Sequence, residues 1–142
     1  MAGSLTLRVI TPEEIVIDTS VSMVTFPALD GSMGVLPRHA PMVAALDAGQ
    51  LAFEVDGERQ EMFISGGFAE VRENTVRVVT EASEPASDID VERAARAAER
   101  ARERLHAFRT RDDGEPFDLF RAEAALRRAL MRKLVAGRSR RA

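Results

Sequence analysis

The feature that most constrains this chain is a change in the spacing of its apolar residues near residue 85. Before that point they recur at every second position in short bursts broken by turn residues. From Ser87 onward they recur at alternating steps of three and four. A period of two belongs to half-buried strands and a period near 3.6 to one face of a helix, so the chain must hold two differently built parts. Charge divides it at the same place. Residues 1–84 carry thirteen acids against five arginines (Arg8, Arg38, Arg59, Arg72 and Arg77), a balance of −8, whereas residues 85–142 carry +5. Unlike charge predicts unlike partners. The expected division is a sheet domain over residues 1–84 and a helical domain over residues 85–142.

In the first part, Leu5-Thr-Leu-Arg-Val9 alternates as a strand does, and Thr11-Pro12-Glu13-Glu14 breaks it. Ile15-Val-Ile17 is too short for a helix. The run from Val21 to Phe26 has apolar residues on both faces, which predicts one strand buried between two layers and closed by Pro27. Leu51, Phe53 and Val55 alternate up to Asp56-Gly57, a pair suited to a tight turn, and Met62-Phe-Ile64 makes the return strand. Phe68 to Val71 and Thr75 to Thr80 form a second pair across Glu73-Asn74. The glycines of Gly31-Ser-Met-Gly34 read as turn glycines, and Ser65-Gly66-Gly67 as a bend. Strands this closely spaced, with no helical pattern between them, predict a two-layer antiparallel sandwich or a flattened barrel.

In the second part, Val91, Ala94, Ala98, Ala101, Leu105 and Phe108 form one stripe on a helix of about 20 residues. Ser87 or Asp88 is the expected cap. Thr110 to Pro116 reads as a loop. A second helix carries Leu119, Ala122, Leu126 and Ala129, flanked by Leu130 and Leu134, and should end at Gly137, leaving a basic tail from Ser139 to Ala142. The two helices should form an antiparallel hairpin. Alanine lines both stripes, so the seam buries little area, which predicts a hairpin that docks conditionally and can open or extend.

Composition removes several kinds of chemistry. The 142 residues suffice for one principal core, and with aromatics at 5% and neither Trp nor Tyr that core must be aliphatic. With no cysteine and only His39 and His106 as imidazoles, no metal site is expected. No phosphate-binding loop or dinucleotide fingerprint occurs, and His39 has no nucleophile at a recognisable spacing, so no catalytic residue is assigned. His39 reads instead as a hydrogen-bonded residue of the rigid Pro37-Arg-His-Ala-Pro41 loop, a surface for a partner protein. No run approaches the ~20 apolar residues of a spanning helix, and Met-Ala-Gly-Ser-Leu lacks signal-peptide character, so a soluble, cytosolic-facing protein is expected. Glu92, Glu99, Glu103 and Glu123 interleave with the basic residues, which argues against a nucleic-acid partner. A free-standing adaptor whose basic helices bind nucleic acid or an acidic protein stays as the alternative reading.

Gly31-Ser-Met-Gly-Val-Leu-Pro-Arg-His-Ala-Pro41 closely resembles the Gly-x-x-Gly-(Val/Ile)-Leu-Pro-x-His-x-Pro signature of the epsilon subunit of bacterial rotary ATP synthases, called delta in mitochondria. Val9-Ile-Thr-Pro-Glu, Ser65-Gly-Gly-Phe-Ala-Glu-Val71 and Asp88-Ile-Asp-Val-Glu-Arg-Ala94 resemble further segments of that family, in order along the chain. The resemblance implies an antiparallel β-sandwich of about ten strands followed by a two-helix hairpin. It implies a non-catalytic central-stalk subunit of a proton-translocating machine, with the gamma subunit, the c-ring and the alpha/beta catalytic head as partners. Such a subunit sits peripherally on the cytoplasmic face of the bacterial inner membrane, held by protein contacts without lipid insertion. The c-ring-facing loop corresponds to Asp30-Gly-Ser-Met33, with Ser32 where some members have Glu; Met33, Val35, Leu36 and His39 are further candidate contacts, although Met33, Val35 and Leu36 could equally be core.

In the family the hairpin can extend along gamma and inhibit ATP hydrolysis. The resemblance gives that task to the basic face of Arg127, Arg128, Arg132 and Lys133. No cofactor is required, but some members hold ATP as a regulatory ligand through an (Ile/Leu)-Asp-x-x-Arg-Ala motif, here Ile89-Asp90-Val-Glu-Arg93-Ala94. The same alignment adds Glu84, Arg100, Arg128 and Arg132. Spacing is compatible with this set: Arg93 and Arg100 lie seven apart on one helix face, and Arg128 and Arg132 four apart on the other helix.

Overall fold

The computed structural model describes residues 4–110 and 118–139. Its strands are β1 (Leu5–Ile10), β2 (Ile15–Val21), β3 (Met23–Ala28), β4 (Gly31–Val35), β5 (Met42–Val55), β6 (Glu58–Arg72), β7 (Thr75–Val79) and β8 (Ser83–Pro85). A 3₁₀ turn at Ala86–Asp88 leads into helices α1 (Val91–Thr110) and α2 (Leu119–Ser139). The expected loop beyond Thr110 and the tail beyond Ser139 lie outside the described residues.

The strands form one hydrogen-bonded sheet in the order β2-β1-β7-β6-β5-β3-β4, with β8 on the first half of β6. Every pairing is antiparallel except β1 with β7. β5 and β6 carry the architecture because, at 14 and 15 residues, they are long enough to serve both layers. Their ladder is interrupted between Asp47 and Gly66. There the side chains turned to the core change parity, from Met42, Ala44 and Leu46 to Leu51, Phe53 and Val55 along β5, and likewise along β6. Gly66 and Gly67, at φ 112° and 113°, permit the change. A Cβ on Gly67 would collide with the Val79 carbonyl oxygen, so any side chain there must push backbone aside. The first layer holds β2, β1, β7, the second half of β6 and the first half of β5, and the second holds β8, the first half of β6, the second half of β5, β3 and β4, so the ten segments implied by the resemblance are carried by eight continuous strands.

The core lies between the layers. It consists of Leu5, Leu7 and Val9, Val24 and Phe26, Leu51 and Phe53, Met62 and Ile64, and Val76 and Val78, all essentially inaccessible to solvent. Both expected turns form as two-residue hairpins with left-handed central residues: Asp56 and Gly57 at φ 52° and 81°, Glu73 and Asn74 at 50° and 56°.

Two strand assignments need correction. The run from Val21 to Phe26 is not one strand, because the chain passes from β2 to β3 at Ser22, whose N–H donates to the Glu54 carbonyl instead of continuing the β2 ladder. Pro27 does not close β3 but lies within it, at the irregularity in the β3–β5 pairing where a missing donor is tolerated. Gly34 is likewise a strand residue of β4 and not a turn glycine.

The helices follow the expected stripe. Ala94, Ala98 and Ala101 of α1 and Ala122 and Ala129 of α2 are buried, whereas Leu105 is half-buried and Phe108 exposed at the far end. Ser87 and Asp88 do not cap α1, since the 3₁₀ turn takes them; Asp90 does, its Oδ1 accepting the Arg93 N–H at 3.0 Å. Asp118 caps α2 in the same way, accepting the Arg121 N–H at 2.9 Å. α2 runs through Gly137 to Ser139. It lies between α1 and the second layer, seating Val135 and Ala136 against Phe63, Ala86 and Ile89.

Candidate functional site

Where α1, α2 and β8 meet there is a cleft of about 280 Å³. Asp90 and Arg93 stand in its wall because the cap that starts α1 sits there, and Arg100 follows on the same face two turns on. Arg132 enters from α2 and Glu84 from β8, with Ala94, Ala97 and Ala129 leaving the space open between them. Arg132 is held twice: its Nε lies 3.5 Å from Glu84 Oε2, and its guanidinium carbon stands 4.3 Å from the centre of the buried Phe63 ring. Arg93 and Arg100 make no ion pair among the described residues. Two guanidiniums without ion-pair partners among the described residues and a third on a half-buried carboxylate suit a polyanion, while Glu84 and Asp90 can accept hydrogen bonds from amino or hydroxyl groups.

The residues expected here thus divide. Glu84, Asp90, Arg93, Ala94, Arg100 and Arg132 line the cleft. Ile89 does not; it is buried with Phe63 and Val135 and secures the turn that presents Asp90. Arg128 does not either. It lines a neighbouring groove of about 370 Å³ between α2 and the β5–β6 bend, together with Asp47, Phe120 and Arg127. A spacing of four keeps Arg128 and Arg132 on one side of α2 but sets them about 6 Å apart along its axis, and Arg128 falls level with the β5–β6 bend instead of the cleft.

The loop candidates also divide. Asp30, Ser32 and Leu36 are exposed, Met33 is partly buried against the core, and Val35 is wholly buried, a core residue with nothing to offer a partner. His39 is the hydrogen-bonded loop residue expected, Nδ1 donating to the Ala40 carbonyl at 2.7 Å. The loop is fixed from outside by Asn74, whose Oδ1 accepts the N–H of Arg38, itself left-handed at φ 66°. Of the basic face, Arg127 and Arg132 are paired with the sheet, and Arg128 and Lys133 make no ion pair among the described residues.

One surface escaped sequence reasoning. On the outer face of the first layer, strand register sets Ile15 beside Ile10, Ile10 beside Val79, Val79 beside Phe68, and Phe68 beside Ala45. This apolar row crosses five strands, with Ile15 60% and Phe68 44% exposed. The next row is charged: Asp18, Arg8, Arg77 and Glu70, ending in the exposed Val43. The row is invisible along the sequence because each strand contributes one residue; only the register assembles it. Among the described residues no cluster of His, Asp and Glu could hold a metal ion.

A two-layer sandwich with an appended helical hairpin is the arrangement of the delta/epsilon class of ATP synthase chains. The family model for the ATP synthase delta/epsilon chain matches in both its parts, the beta-sandwich domain over residues 4–86 and the long alpha-helix domain over residues 87–137. The chain belongs to the ATP synthase delta/epsilon family. It is 43% identical over 137 residues to the ATP synthase epsilon chain of Nitratidesulfovibrio vulgaris, covering 96% of this chain and 98% of that one. It is 46% identical to that of Symbiobacterium thermophilum, covering 95% and 94%. Among solved structures it resembles a chain of the Euglena gracilis mitochondrial ATP synthase, OSCP/F1/c-ring, at TM-score 0.77 and 28% identity, over 94% of this chain and 81% of that one. A chain of the Tetrahymena thermophila mitochondrial ATP synthase central stalk and c-ring shares the fold at TM-score 0.65 and 12% identity, over 95% and 98%. No described helix is long and apolar enough to cross a membrane.

Proposed function

We propose that this ATP synthase epsilon chain is a non-catalytic rotor subunit that joins the gamma subunit to the c-ring of a proton-translocating enzyme, on the cytoplasmic face of the bacterial inner membrane. The observation that carries this reading is the apolar row from Ile15 to Ala45. Contiguous exposed apolar surface on a soluble sheet marks a contact with another protein, and we assign it to gamma. Asp30 in the β3–β4 turn, Ser32 in β4 and Leu36 in the loop after it, all exposed, are assigned to the c-ring. Co-purification with gamma tests the assignment: Phe68→Glu with Ile10→Glu should abolish it while the isolated protein keeps its strand circular dichroism. Retained co-purification would move the interface elsewhere.

The helices supply regulation in this proposal. Extended, α2 presents Arg127, Arg128, Arg132 and Lys133 to acidic residues of the catalytic head and inhibits ATP hydrolysis; docked, it does not. The cleft of Arg93, Arg100 and Arg132 binds ATP as a regulatory ligand between the docked helices, with Arg128 contributing only if α2 shifts. Truncation after Ser87 should leave the sheet folded and raise hydrolysis in reconstituted complexes, and unchanged hydrolysis would remove the inhibitory role. Calorimetry with ATP should show binding that Arg93→Ala abolishes and Arg128→Ala weakens only slightly. Equal heats from all three proteins would leave the cleft without a ligand.

A further inference from the structure

Outside the nucleotide cleft, two more side chains tie α2 to the sheet. Arg127 Nη1 lies 3.1 Å and 2.9 Å from the two carboxylate oxygens of Asp47. Arg138 Nη1 donates to Gln50 Oε1 at 3.0 Å. Asp47 is fixed before α2 arrives, because its Oδ1 also accepts the Ala48 N–H at 2.8 Å, where the β5–β6 ladder is interrupted. With Glu84 on Arg132, the sheet therefore offers an acceptor to the cations at 127, 132 and 138, near one end, the middle and the other end of the docked segment. The apolar part of this contact is small, with Val135, Ala136 and Met131 of α2 on Phe63 and Ala48. Polar contacts thus hold a larger share of the docking than they would over a leucine-rich seam.

We infer that Asp47 and Glu84 form an intramolecular decoy: they imitate the acidic surface a partner would offer and so keep Arg127 and Arg132 occupied while α2 is docked. Arg128 and Lys133 make no ion pair among the described residues, so docking masks half of the basic face and leaves half to meet an acidic partner first. The consequence for inhibition rests on the function proposed above; the latch itself does not. Both pairs are partly exposed, with Asp47 at 33% and Glu84 at 31%. Pairs of this kind shift an equilibrium by only about 2- to 5-fold each and weaken with salt. A contact that small can be displaced by a partner of modest affinity.

The chain has no native cysteine, so Gln60→Cys on the sheet and Glu123→Cys on α2 can carry two spin labels in the full-length protein. Val135→Ala serves as background, to bring a measurable fraction of molecules into the undocked state. Asp47→Asn retains an oxygen for the Ala48 N–H and removes only the charge. It should raise the undocked-to-docked ratio about 2- to 5-fold at low salt. Arg127→Gln combined with Asp47→Asn should raise the ratio no further than either change alone, whereas Glu84→Gln should add to Asp47→Asn. The ratio should rise with salt in the background protein and hardly at all in the doubly neutral variant. Arg127→Gln, which removes no hydrogen bond within the sheet, guards against a folding defect. Distance distributions unaltered in both Asp47→Asn and Arg127→Gln would overturn the proposal. In reconstituted complexes Asp47→Asn should inhibit hydrolysis more strongly than the native chain. Altered docking with unaltered hydrolysis would support the latch and remove the inhibitory role of the basic face.

Discussion

The chain contains two interiors made of different material. Between the layers, Leu, Val, Ile, Met and Phe from seven strands close a core in which most side chains are inaccessible to solvent. Between the helices the buried residues are Ala94, Ala98, Ala101, Ala122 and Ala129, and beneath α2 a second small cluster holds Phe63, Ile89 and Val135. A buried alanine removes little apolar area from water, while a leucine or phenylalanine contributes about 1.5–3 kcal/mol. The same chain therefore combines a sheet core closed by large side chains with a hairpin seated by small ones, assisted by ion pairs.

The sharpest way to break this comparison is to damage each interior by truncating a fully buried side chain. Phe26→Ala, in the first core, should cost about 3–5 kcal/mol and lower the denaturation midpoint of the sheet. Val135→Ala, at the same burial, should cost about 2 kcal/mol and appear as undocking of the hairpin with the sheet transition unmoved. Chemical denaturation followed separately by strand and helix signals decides it. A single shared transition, lowered equally by both changes, would mean that sheet and hairpin fold as one unit.

A smaller effect sharpens the account of the bend. Gly67→Ala sets a Cβ against the Val79 carbonyl at a φ that L residues avoid, and should cost at least the ~1–3 kcal/mol of the backbone strain. Gly137→Ala adds a Cβ with nothing within 4 Å, inside α2, and should stabilise the helix by up to about 1 kcal/mol. Thermal melts of the two variants should therefore move in opposite directions.

The sheet was largely legible because its turns contain residues that tolerate left-handed backbone, Asp56 and Gly57 in one and Asn74 in the other, and these set the register of two hairpins. The helices were legible from the period of their alanines. What could not be read were places where distant strands meet. Val21 to Phe26 looked like one strand because nothing local marks Ser22 as the crossing between layers. The apolar row from Ile15 to Ala45 takes one residue from each of five strands. At the cleft, Asp90, Arg93 and Arg100 came from the family resemblance, and helical spacing added only that Arg93 and Arg100 share one face of α1. Arg128 could not be placed in this way, because its neighbours depend on how α2 rests on the sheet.

The smallest expected effect concerns what holds Arg132. The guanidinium has two partners of different kinds, the Glu84 carboxylate at 3.5 Å and the Phe63 ring at 4.3 Å. An ion pair half open to water and a cation over a ring each contribute about 0.5–1 kcal/mol, but they respond to different perturbations. Salt screens the carboxylate strongly and the ring, buried beneath the guanidinium, much less. Phe63→Leu keeps an apolar side chain of similar size and removes the ring, so it should weaken docking by about 1 kcal/mol at any ionic strength. Glu84→Gln should weaken docking by a similar amount at low salt and hardly at all at 1 M. If the double variant loses the sum of the two, the contacts are independent. A smaller combined loss would mean that the carboxylate aims the guanidinium at the ring, so that disturbing either releases the other.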